Sequence, residues 1–155
     1  MDFWSFNAHL TQRLKVWAVS SILFGLILQF TSRLGRGIGA QFVGWGIVNF
    51  LIAWFGSRNS RARQEKLAEP FDPEIQQQEA TKLHRLLLVN AVLDIFYILG
   101  GFGFVQSRGR RDEFSKGNGL GIMLQGAFLF FFDLYQALML KKLVIPDRSQ
   151  ANEKP

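Results

Sequence analysis

Apolar positions gather in four long runs, 16–30, 38–56, 86–105 and 120–140, separated by strongly polar stretches. A helix rises ~1.5 Å per residue, so about 20 apolar residues cross a hydrocarbon core of ~30 Å, and the last three runs meet that length. The first is shorter and diluted by Ser20, Ser21 and Gln29. To span, it needs Lys15 and Arg33 to reach for the interface, or a locally thinned bilayer. Ahead of it, Phe3, Phe6, Leu10, Leu14 and Trp17 recur at helical spacing opposite Gln12, Arg13 and Lys15. That spacing predicts an interfacial helix running into the first span, with Trp4 and Trp17 in the aromatic belt. A secretory signal is the competing reading; the late apolar run and the lack of a small-residue cleavage site before Arg33 argue against it. The pattern therefore predicts an all-α integral membrane four-helix bundle, two tandem helical hairpins forming one domain over 1–142.

The polar stretches add detail. Residues 57–72 read as a cytoplasmic loop, in which Arg58, Arg61, Arg63 and Lys66 mix with Glu65, Glu69 and Asp72. Such a loop is a solvated connector or a contact for anionic lipid heads. Asp72 followed by Pro73 and Glu74 is a helix start: Asp caps free N–H groups, Pro fits the first helical position, and acid suits the positive end of the dipole. The third helix is thus expected to begin near Pro73 and project about 20 Å into the cytoplasm before entering the bilayer. This stalk, with Gln76, Gln77, Gln78, Glu79, Lys82 and His84, reads as polar all round. It would dock a partner or simply be solvated. Lys141 and Lys142 stop the last span, and 143–155 reads as a disordered tail.

Composition fits a chain divided between lipid and water. Of 155 residues 48% are hydrophobic, 16 are phenylalanine, and mean hydropathy is only +0.10 because the connectors are so polar. Lys and Arg outnumber Asp and Glu by 18 to 12. With four spans, twelve of the basic residues fall on the side of the termini and six on the other, which places both termini in the cytoplasm. The basic excess flanks apolar runs instead of forming one face with stacking aromatics, so nucleic-acid binding is not indicated. Cysteine is absent, removing disulfides, thiolate nucleophiles and Cys metal sites. His9 and His84 both lie at the cytoplasmic edge of their spans, where haem ligation is not built. No cofactor or metal is expected, and no Ser–His, HExxH, phosphate-loop or dinucleotide motif is present.

Within the four runs the only charged residues are Asp94 and Asp133. Counted from the cytoplasmic boundaries, Asp94 lies about 12 Å deep, and Asp133 and Asn49 about 10 Å. Asn90 and Gln136 fall one turn nearer the cytoplasm. Asn90, Asp94, Tyr97 and Gly101 form one stripe, and Gln125, Asp133 and Gln136 another, both expected to face the bundle interior. A charge at the bilayer centre costs about 2.5–3.5 kcal/mol on insertion scales, so two acids call for a reason. One reading is a structural polar layer in a scaffold or assembly protein, the acids bonded to Asn49, Asn90, Tyr97 or Gln136. The other is translocation of protons or a small cation by Asp94 and Asp133, in a homodimer because four spans are few for a path. Gln41 and Asn49 recur as Gln125 and Asp133 at the same spacing of eight, consistent with duplicated hairpins. An intramembrane aspartic protease would want a glycine-flanked aspartate, which Phe132-Asp133-Leu134 is not. Small residues supply helix packing: Gly39, Gly46 and Ala53 repeat every seven, and Gly44, Gly101 and Gly121 join Ala40 and Gly117 at close spacing.

Three motifs carry a resemblance: Trp45-Gly46-Ile47-Val48-Asn49; Asn90-x3-Asp94-x2-Tyr97-x3-Gly101; and Gln125-Gly126 ahead of Asp133. Over residues 5–142 the chain resembles a family of small bacterial four-span membrane proteins classed as a domain of unknown function. The resemblance implies an inner-membrane four-helix architecture with buried Asn and Asp. It implies no activity.

Overall fold

Four long helices make up the computed structural model, which describes residues 2–144: α1 (Phe3–Leu28), α2 (Arg33–Lys66), α3 (Pro73–Ser107) and α4 (Glu113–Val144). No strand occurs among the described residues. Each start is set by a short polar side chain that accepts the helix's free N–H groups. Asp2 accepts from Ser5, Ser32 from Gly35, Asp72 from Glu74 and Ile75, and Asp112 from Ser115. Pro73 occupies the first turn of α3, as its fixed φ favours.

Adjacent helices pack as hairpins, α1 on α2 and α3 on α4, and α2 also lies along α4. Helix α1 touches α3 and α4 more lightly. All four are long and apolar enough to cross a membrane. Their outward faces carry Leu23, Ile27, Ile52, Phe55, Phe96, Leu99, Phe131 and Leu138, all exposed. An apolar girdle of this extent would be an aggregation surface in water and is the expected face toward lipid.

Several boundaries differ from the sequence reading. The 57–72 loop shrinks to six residues, because α2 continues to Lys66. Its extension is rich in Arg, Ala, Gln, Glu and Lys, strong helix formers that prolong an already nucleated helix at little cost. At the other end, Leu143 and Val144 still belong to α4, and the remaining residues of the expected tail lie outside the described ones. The amino-terminal segment runs without a break into the first apolar run, as expected, making α1 one helix of 26 residues, but its apolar face is covered by protein. Phe3, Trp4, Phe6 and Leu10 are buried against Ala80 and Leu87 of α3 and Ala137 and Leu140 of α4. An amphipathic face suits a protein wall as well as a lipid surface, and here α3 and α4 provide that wall.

The stalk is likewise not polar all round. Ala80 and Glu79 are buried, and Glu79 accepts from Arg63 of α2 at 2.6 Å and from Lys82 at 2.8 Å. Trp4 donates its indole N–H to the Pro70 carbonyl at 2.7 Å, and Gln76 Oε1 accepts from the Phe3 amide at 2.9 Å. Burial pushes the Glu79 carboxyl up, but hydrogen bonds from Arg63 and Lys82 and their charges outweigh it, leaving the pKa below the ordinary glutamate value. A lowered folded-state pKa contributes stability that is present above the unfolded value and lost as pH falls through the folded one. Melting temperature should therefore drop as pH falls from about 4.5 through the lower folded value, and the drop should be shallower in Glu79→Gln; parallel curves would refute the role of this pair.

Candidate functional site

Helix register sets which polar residues meet. Helices α2 and α4 run parallel, with Gly37 against Gly117 and Gln41 against Gly121. Helices α3 and α4 run antiparallel, with Gly101 against Gly119 and the Asp94 backbone against Gly126. Counting down α2 from Gln41 and down α4 from Gly121 brings Asn49 level with Leu129. Asp94, facing Gly126, falls within one turn of the same level. Leu129 leaves a polar gap on α4 that Asn49 and Asp94 fill from their own helices.

Asp133 lies one turn nearer the end of the bundle that holds the start of α1, where the Asn90 side chain comes within reach of its carboxyl group. The two acids thus do not share one level, as depths counted from assumed boundaries suggested. They remain close enough to interact electrostatically. Gln136 is buried a further turn down. Asp94 and Asn49 are only 5% and 3% exposed, yet Asp94 Oδ2 and Asn49 Nδ2 have no hydrogen-bond partner among the described residues. One orphan is an acceptor and the other a donor. Buried polar atoms left without a partner are rare, because each costs about 1–3 kcal/mol.

Toward the opposite side, Gln125 is 0% exposed, inside the bundle as its stripe predicts. Its Oε1 accepts from the Trp17 indole and its Nε2 donates to Ser21 Oγ, both at 3.4 Å. Trp17 stacks on Phe128, which fixes the indole's direction. Ser20, its neighbour, points outward. Further along, Gln41 Nε2 donates to Asn118 Oδ1 at 2.7 Å. Gln136, Asp133 with Asn90, Asp94 with Asn49, Gln125 with Ser21, and Asn118 with Gln41 therefore form a file of polar side chains. Along α4 it runs about 27 Å, close to the hydrocarbon thickness. Asn118, Gln125, Asp133 and Gln136 sit at spacings of seven, eight and three, a signal that could have exposed the whole file in the sequence.

Two expected members stand elsewhere. Tyr97 is half-exposed and packs its ring edge-on against Trp45, outside the file. A Cβ on Gly44 would meet nothing within 4 Å, so Gly44 makes no helix contact. Gly39, Gly46, Gly101 and Gly121 do lie against neighbouring helices, and Ala53 packs with Leu14 and Leu129. The tightest approaches include three glycines not anticipated as contacts: Gly25 on Gly39, Gly37 on Gly117, and Gly119 on Gly101.

Residues 13–134 match the family described as "Family of unknown function (DUF6992)". No curated protein and no solved structure matches the chain. The matched stretch holds the entire polar file except Gln136.

Proposed function

Because the chain belongs to this family of unknown function, its role has to rest on its own residues, and we propose that it is a multi-pass membrane protein that passes protons along the polar file. In this reading it sits in a bacterial inner membrane with both termini in the cytoplasm, as the Lys and Arg distribution favours. The observation that carries it is the pair of orphaned atoms, Asp94 Oδ2 and Asn49 Nδ2, within one turn of each other in the middle of the file. A packing device has no use for an unsatisfied carboxyl oxygen. A relay does: a water accepting from Asn49 and donating to Asp94 would join the Asp133 end of the file to the Gln125 end. Asp94 and Asp133 would alternate as proton carriers, and the amides would orient the water and each other. The cation version of this reading has less support, because a cation would face the Asn49 N–H₂ group rather than an oxygen.

Purified protein in liposomes should collapse an imposed pH gradient faster than empty vesicles. Asp94→Asn and Asp133→Asn should each reduce that flux to the vesicle background with the fold intact, since an amide does not exchange a proton near neutral pH. No flux from the wild-type protein would overturn the proposal. It would favour the scaffold reading, for which the nearness of Asn90 to Asp133 and the glycine contacts between helices speak.

A further inference from the structure

Apart from the polar file, the α1–α2 hairpin carries a cavity of about 450 Å³ just where the apolar run of α2 ends. Lys15, Trp54, Ser57, Arg58, Arg61 and Glu65 line it. Lys15 is held in place by two contacts: its ammonium donates to Ser57 Oγ at 2.9 Å and lies 5.6 Å above the centre of the Trp54 ring. Arg58 and Arg61 are exposed, and neither has an ion-pair partner among the described residues. Glu65, one turn beyond Arg61, is the only acid on the wall, so the cavity keeps a net positive charge.

We propose that this cavity binds the phosphate group of an anionic phospholipid. Its level is that of the headgroups, because the α2 span closes at Gly56 and an exposed Trp54 marks the interface. Directly below, Leu51, Ile52 and Phe55 are exposed and offer an apolar wall for the acyl chains of the same lipid. The guanidinium groups of Arg58 and Arg61 match phosphate oxygens, and Lys15 supplies a third cation already oriented by Ser57 and Trp54. Arg63 is excluded from the site, since it is committed to Glu79. The basic loop expected to brush anionic lipid is thus helical as far as Lys66, and its Arg58 and Arg61 line this cavity.

Trp54 provides the readout, as the fluorescence present in the wild type and missing in Trp54→Phe. In reconstituted vesicles, headgroup-proximal brominated phosphatidylglycerol should quench that signal at about tenfold lower mole fraction than brominated phosphatidylcholine. Arg58→Gln with Arg61→Gln should abolish the preference, while the melting temperature in phosphatidylcholine stays unchanged because both side chains are exposed. Lys66→Gln with Arg85→Gln removes the same charge on the same side and should leave the preference intact. Equal quenching by the two lipids, or an equal loss in the control pair, would overturn the proposal in favour of diffuse surface attraction. Relief of quenching by millimolar inorganic phosphate would overturn it in favour of a free-phosphate site.

Discussion

Gly117→Val should lower the stability of the bundle by about 3 kcal/mol or more, or prevent its assembly, whereas Gly44→Val should leave it within about 0.5 kcal/mol of wild type. A Cβ on Gly117 would run into the carbonyl oxygen of Leu34 and lie 3.0 Å from the Cα of Gly37, both backbone atoms with no rotamer to give way. In lipid no hydrophobic drive pulls helices together, so the contact is held by close backbone approach and the interactions it permits, and both are lost when α2 and α4 are wedged apart. Gly44 lies two turns from Gly37 on the same helix but meets nothing within 4 Å, so the matched substitution isolates crowding from helix propensity. Reversible unfolding in mixed detergent gives both values. Similar losses in the two variants would show that the α2–α4 contact is not decisive.

Asp94→Leu and Asp133→Leu should move stability in opposite directions. Asp94 Oδ2 is buried without a partner, so an apolar side chain of similar size removes an unsatisfied group and should raise stability by about 1–2 kcal/mol. Asp133 has the Asn90 amide within reach, and replacing it takes that polar neighbour away from the amide, which should cost about 1–3 kcal/mol. The same unfolding measurement decides between them. If both variants are destabilised alike, the two acids are equivalent parts of one packed layer and the special position of Asp94 is lost. A stabilised Asp94→Leu that no longer passes protons would be a functional group retained at the expense of stability.

The apolar runs were legible because charge is nearly absent from them, and the start of α3 because Asp72, Pro73 and Glu74 each favour it for a separate reason. Residues 57–66 were not: an exposed polar helix and a polar loop have the same composition, and only the already formed α2 ahead of them decides. The face made by Phe3, Phe6 and Leu10 was read correctly as one face and assigned to the wrong medium, because periodicity reports sidedness and not what lies on the far side. Small residues four apart located helix contacts in general but could not separate Gly44 from Gly37: seven residues apart, the two point within about 20° of each other, and only Gly37 meets a neighbouring helix. Asp94, Asp133 and Asn49 were found by their polarity. Their offset depends on how far α3 slides along α4, and Gly126 and Gly101 set that slide through tertiary packing.

The docking of Phe3 and Trp4 onto the α2–α3 turn also constrains the order of assembly. Their bonds reach Gln76 and Pro70, across separations of 73 and 66 residues. During synthesis the first hairpin leaves the ribosome before α3 and α4 can furnish Ala80, Leu87, Ala137 and Leu140. For that interval the beginning of α1 carries four uncovered apolar side chains, Phe3, Trp4, Phe6 and Leu10. Its final seat is made only by the second hairpin, so the beginning of α1 acts as a clasp that is synthesised before its seat exists and is among the last contacts to close.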